Sequence, residues 1–268
     1  MSARENEMAD LLAKAHCDER LSAVIARVTP NVCTILDLGC GIGALTTRLA
    51  ERFPSAIVVG IDRSKYLLSR LQRRGNAMTI LGDIPVLPFR TQSFDLVVAV
   101  QVLHEILHFK GAKSLKRTFQ NVSHLLKKDG ELLILDHFNP GDASISFKLP
   151  EEMRNKLQEF QSKFKPRKIA YHELGESWFR TSMRDFCDFV TKIWALNSGL
   201  EEEEMNETHT PFALQELENF VQEAGFEVEH TISLTPIDRH LEYYGITVEP
   251  TAKLPNRHIL LKARKEVE

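Results

Sequence analysis

Two hydrophobic rhythms trade places along the first half of the chain. Short, almost wholly apolar runs appear as "VCTILDL", "AIVVGID", "AMTIL", "FDLVVAV" and "ELLILD", all before residue 140. Between them lie longer stretches whose apolar residues recur at helical spacing. These begin near Ala44, at "SKYLLSRLQRR" and at "AKSLKRTFQNVSHLLKKDG", the last two closed by Gly75 and Gly130. Apolar runs this short and continuous predict strands buried on both faces, and their alternation with helices predicts a parallel sheet. Upstream, the first thirty residues read as helix, with apolar side chains at helical spacing in "ERLSAVIARV", and Pro30 stops it.

After Pro140 the rhythm changes. Residues 140–210 carry polar helices, "EEMRNKLQEFQSKF" and "MRDFCDFVTKIWALN", without strand periodicity. "TPFALQELENFVQEAGF" then predicts a helix with Thr210 as its cap, Pro211 at its first position and Gly225 at its end. "EVEHTISL" and "RHILLKAR" add two strands, expected as an antiparallel pair completing the sheet. The expected fold is therefore α/β: a doubly wound, mostly parallel, seven-stranded sheet with a helical cap inserted at 140–210.

Composition narrows the classes. The chain has 268 residues, 43% of them hydrophobic, enough for one α/β domain with an insert. Its net charge of −3 lacks the basic excess usual in nucleic-acid binders, so a nucleic-acid partner is not expected. The basic "KFKPRK" at 163–168 reads as a solvated face, and "EEEE" at 201–204 as exposed. The four cysteines show no C-x-x-C spacing, and the charged start lacks an apolar leader. No run approaches the roughly 18 apolar residues of a membrane span. A cytoplasmic protein with reduced thiols is expected, and its oligomeric state is left open.

"ILDLGCGIG" carries the strongest chemical signal. Ligands of doubly wound sheets bind beyond the carboxyl ends of the strands, and glycines there let a ligand reach the backbone. A phosphate-binding P-loop would need a Lys-Ser/Thr pair that does not follow. Gly39, Gly41 and Ala44 loosely satisfy a dinucleotide loop, and Asp62, closing the second strand, would suit either a dinucleotide ribose or that of S-adenosylmethionine.

The motif order separates these two. An acid two residues before Gly39, Gly41 and Gly43 resembles the first motif of class I S-adenosylmethionine-dependent methyltransferases. "LGDIPVLPFRTQSFDLVVAVQVLHEI" and "LLKKDGELLILD" resemble their later segments. The resemblance covers about 33–138, resumes at 211–230, and is closest to the small-molecule branch typified by ubiquinone-biosynthesis enzymes. It implies a single methyltransferase domain over 1–268 whose cofactor is S-adenosylmethionine and whose acceptor is a small molecule. It also implies that Gly39, Cys40, Gly41 and Gly43 line the methionine part and that Asp37 positions the loop. Asp62 would take the ribose, Asp83 and the Ile84 backbone the adenine edge, and Gln101 the methionine side. Arg63 departs from the apolar residue usual after the ribose acid; its guanidinium can stack on the base or point to solvent. Methylation of RNA or protein, and a non-catalytic cofactor-binding subunit, are the alternatives.

"HEILH" at 104–108 matches the zinc-binding His-Glu-x-x-His pattern, with Gly111 at a further matching position. Ser114 stands where the longer signature needs its third ligand, so no metal is expected. His104 and His209 are the preferred acid–base pair, with Glu105 and His137 as further candidates. Trp178, Phe179, Arg180, Arg184 and Trp194 are expected in the insert, as acceptor-binding residues of a lid or as its core.

Overall fold

The alternating runs become neighbours in one sheet, seen in a computed structural model that describes residues 18–70 and 75–266. Helix α1 (Asp18–Ile25) is followed by β1 (Thr34–Leu38), α2 (Ala44–Arg52), β2 (Ile57–Asp62), α3 (Lys65–Ser69), β3 (Ala77–Leu81) and β4 (Phe94–Val100). Then come α4 (Leu103–Leu125), kinked at Gly111, and β5 (Leu126–His137). The remaining elements are β6 (Ser144–Lys148), α5 (Glu151–Lys163), β7 (Tyr171–Gly175), β8 (Trp178–Ser182), α6 (Met183–Lys192) and α7 (Glu201–Asn206). The chain closes with α8 (Leu214–Gln222), β9 (Phe226–Pro236), α9 (Asp238–Tyr244), β10 (Thr247–Val248) and β11 (Asn256–Lys265).

The large sheet has seven strands in the order β3-β2-β1-β4-β5-β11-β9. Strand β1 pairs in parallel with β2 on one side and β4 on the other, so the order reverses between β1 and β4. That reversal is the switch point at which loops diverge and leave room for a ligand. Leu36, Val58, Leu96, Val98 and Ile134 are wholly buried, as strands covered on both faces require.

The chain divides into two compact units. The first contains residues up to 136, 215–232 and 259 onward; the second contains 137–214 and 233–258. The second unit differs from the helical insert expected at 140–210. It has its own four-stranded sheet, ordered β10-β6-β8-β7, and recruits the later segment that carries α9 and β10. Strands β6, β7 and β8 are five residues each. Ile145 and Phe147 in β6, and Phe179 in β8, are the buried hydrophobics of these three strands; only the "SISFK" of β6 alternates, over a single five-residue run. Phe147, Phe160, Phe186, Phe189, Ile193 and Leu241 share this unit's core.

Helix boundaries moved too. The N-terminal helix starts at Asp18 within the described residues, and the part expected before it lies outside them. The helix expected from Thr210 begins at Leu214, because the Thr210 hydroxyl donates to the buried Asp188 carboxylate, 2.9 Å away, instead of capping. Among the described residues no helix is long and apolar enough to cross a membrane.

Candidate functional site

The turn after β1 is built by three left-handed glycines: Gly39 (φ 67°), Gly41 (φ 54°) and Gly43 (φ 77°). The Gly39 and Cys40 amides donate to the Ile61 carbonyl at 2.8 and 3.1 Å, tying the turn to β2. A Cβ at Gly39 would drive into the Val102 side chain, whereas one at Gly41 would meet nothing within 4 Å. The loop thus packs on the residues after β4 at one point and stays open at the next. Such a side-chain-free cradle fits an extended ligand against the backbone.

Two acids hold the turn. Asp62 accepts from the Gly41 amide at 2.9 Å and from the Ser64 amide at 2.8 Å, one on each carboxylate oxygen. Each oxygen keeps a second acceptor site, so two ribose hydroxyls can still be met. Asp37 is buried beneath the loop and bonded to the Thr46 hydroxyl at 2.6 Å. Burial pushes its carboxyl up to about 7, with the nearby Asp62 charge adding to the rise and Thr46 opposing it. Burial also pushes the Cys40 thiol well above its ordinary range.

The other donor-side candidates lie in the same unit. Asp83 is ion-paired with Lys110, and its carbonyl accepts from Val86 in a turn. Ile84 is buried. Gln101 adopts a left-handed φ of 50°; its amide donates to the Leu135 carbonyl and its side chain accepts from Arg20 at 2.8 Å. Arg63, 60% exposed, lies 3.7 Å from the Glu105 carboxylate, which is 41% exposed. A pair this exposed contributes little stability and leaves the guanidinium able to swing.

The histidines of "HEILH" have separate surroundings. His104 is buried with its Nδ1 2.6 Å from Asp136, whereas His108 is exposed and edge-on to Phe109. His104 and His209, paired in expectation, fall in different units with different partners. His209 donates its amide to Asp188 at 2.6 Å and stacks on His137 at 4.3 Å. His137 also lies against His258 at 4.6 Å. Glu204, Glu207 and His209 are grouped closely enough to surround a metal ion. The wholly buried Lys192 ammonium already sits there, 2.7 Å from Glu204 and 3.6 Å from Glu207. In the basic run, Lys163 pairs with Glu159 and Glu201, and Arg167 with Asp185 and Asp188.

Comparison with known proteins identifies this arrangement. A family model described as a methyltransferase domain matches residues 36–134, the span from β1 to β5 that carries the glycine turn and its acids. Over that span the chain carries a methyltransferase domain of the class I, S-adenosylmethionine-dependent kind. A malonyl-[acyl-carrier protein] O-methyltransferase of Legionella pneumophila is 34% identical over 103 residues, 37% of this chain and 34% of that protein. One from Bacillus anthracis is 27% identical over 187 residues, 62% of this chain and 66% of that protein. The chain thus spans about a third to two thirds of the length of those curated relatives. An S-adenosylmethionine-dependent methyltransferase structure from Mesorhizobium loti superposes with a TM-score of 0.57, covering 91% of this chain and 96% of that one. At 18% identity it shows a shared fold. The family's cofactor is S-adenosylmethionine, and the open glycine turn with Asp62 suits it. Sequence reasoning had not singled out Asp136, the acid between β5's apolar run and His137. Its only sequence signal was an acid at a strand's carboxyl end.

Proposed function

We propose that the chain transfers a methyl group from S-adenosylmethionine to a small-molecule acceptor. The observation that carries this is the Asp62–Gly41 bond, which joins the ribose-binding acid of β2 to the open glycine turn of β1. When bound, the cofactor supplies a methyl group activated by a positively charged sulfur. The chain's residues bind and orient. Gly39, Gly41 and Gly43 offer backbone to the methionine part, and Asp62 offers its remaining acceptor sites to the ribose. Asp83 and Ile84 border the adenine, Arg63 covers it, and Gln101 faces the methionine side. Holding two reactants in line can lower a barrier by roughly 7–11 kcal/mol, more than a general base supplies, so positioning dominates. The curated relatives named for a malonyl carrier-protein substrate support a small acyl or acid-sized acceptor.

Calorimetry with S-adenosylmethionine and S-adenosylhomocysteine tests the donor half. Wild-type protein should bind both, and Asp62→Ala should weaken binding about 10–100-fold through lost charge-assisted bonds. A metabolite-pool screen for S-adenosylhomocysteine production then tests transfer. Binding without turnover on any fraction would favour a non-catalytic partner subunit.

A further inference from the structure

We propose that Asp136 is the positioning residue that makes His104 a general base, and that the acceptor's nucleophile arrives still carrying its proton, as a hydroxyl does. This rests on the methyl-transfer reading above. Asp136 closes the apolar run of β5 and is wholly buried. Its Oδ2 accepts from the Leu103 amide at 2.8 Å and the His104 amide at 3.3 Å. Its Oδ1 lies 2.6 Å from His104 Nδ1. An ionised carboxylate only accepts, so the shared proton sits on Nδ1 and Nε2 is the lone-pair nitrogen. The backbone bonds alone would suffice to fix the start of α4. The ring bond adds what a cap does not need: a set tautomer and a counter-charge for an imidazolium.

Placement supports the role. His104 lies two residues past Val102, against which Gly39 packs too tightly to admit a Cβ. The dyad therefore sits at the strand ends that bear the donor turn, in the same unit. The acceptor's O–H proton passes to His104 Nε2, and the electron pair of that bond stays on the oxygen as the nucleophile. Asp136 balances the imidazolium until its proton leaves to solvent. A carboxylate acceptor, ionising near pH 4, would arrive already deprotonated and give this pair nothing to remove.

The test uses the full chain with ¹⁵N-labelled histidine rings, the His104 signal being assigned by its loss in His104→Gln. At about pH 8, above ordinary imidazole titration, wild-type His104 should show the Nδ1–H tautomer, and Asp136→Asn should turn it to Nε2–H. With the acceptor returned by the screen, Asp136→Asn should lower kcat at least about 100-fold while S-adenosylmethionine affinity changes less than about twofold. Asp136→Glu should recover part of the rate. His104→Gln, which keeps the backbone bonds of Asp136, carries the same expectation should Asp136→Asn fail to fold. The product should be a methyl ether, formed at a rate that rises with pH through imidazole titration. A wild-type Nε2–H tautomer, or a methyl ester formed at a pH-independent rate, would overturn the inference while donor binding stays intact. Wild-type protein that does not bind S-adenosylmethionine would overturn the transfer reading and this inference together.

Discussion

Asp37 shows how one residue ties the donor turn to pH. Its carboxyl ionises near 3.8 in an unfolded chain and at about 7 when buried. Between those values the unfolded chain gives up its proton and the folded one keeps it, so rising pH favours unfolding across that window. Above about 7 the penalty is constant. Asp37→Asn, which keeps the shape and removes the titration, should therefore raise the urea midpoint at about pH 8 and leave it nearly unchanged at about pH 4. Wild-type stability equal to that of the variant throughout would mean that Asp37 ionises normally. The acid itself was visible in the sequence two residues before Gly39. Its perturbation was not, because it comes first from burial and then from the charge of a second acid, Asp62, against the opposing Thr46 bond, all of them set by folding.

At the level of elements, legibility followed the length of the apolar run. Strand β4 buries Phe94 and every residue from Leu96 to Val100, and both it and the Glu131–His137 part of β5 were evident as sequence, whereas Leu126–Gly130, expected to end the preceding helix, belong to β5. Strand β7 is four-fifths exposed and gave no pattern, since its polar side chains face solvent and its backbone supplies the pairing. Helix α6 was legible as a helix, but its last residue was not legible as a buried cation. Lys192 is wholly buried and bonds the Glu204 carbonyl at 2.8 Å and its carboxylate at 2.7 Å. Lys192→Met would leave Glu204 and Glu207 without their counter-charge and should cost about 3–5 kcal/mol. Denaturant melts should show part of that loss recovered in acid, where the carboxylates take up protons. A loss under about 1 kcal/mol would mean that water reaches the pair freely.

For the whole molecule, the sequence disclosed the sheet and its donor turn but misjudged the second unit's extent. The missing piece, 233–258, starts in the last residues of β9, and the pairing of β10 with β6 together with core packing joins it to residues 137–214. Ile237, Leu241 and Ile246 belong to the same core as Phe147 and Phe186. Deleting 140–210 alone should strand those three side chains in water. The expected result is aggregation or loss of cooperative melting, seen by light scattering and circular dichroism, not a trimmed and soluble donor domain. The strand order carries one more consequence. Strand β11 lies between β5 and β9, though it is made after both. On the ribosome β5 must therefore wait with a bare flank until the latest strand emerges, and β9 cannot dock beside it in the meantime. Nascent chains stalled before β11 should depend on chaperones, and restoring that single strand should release them.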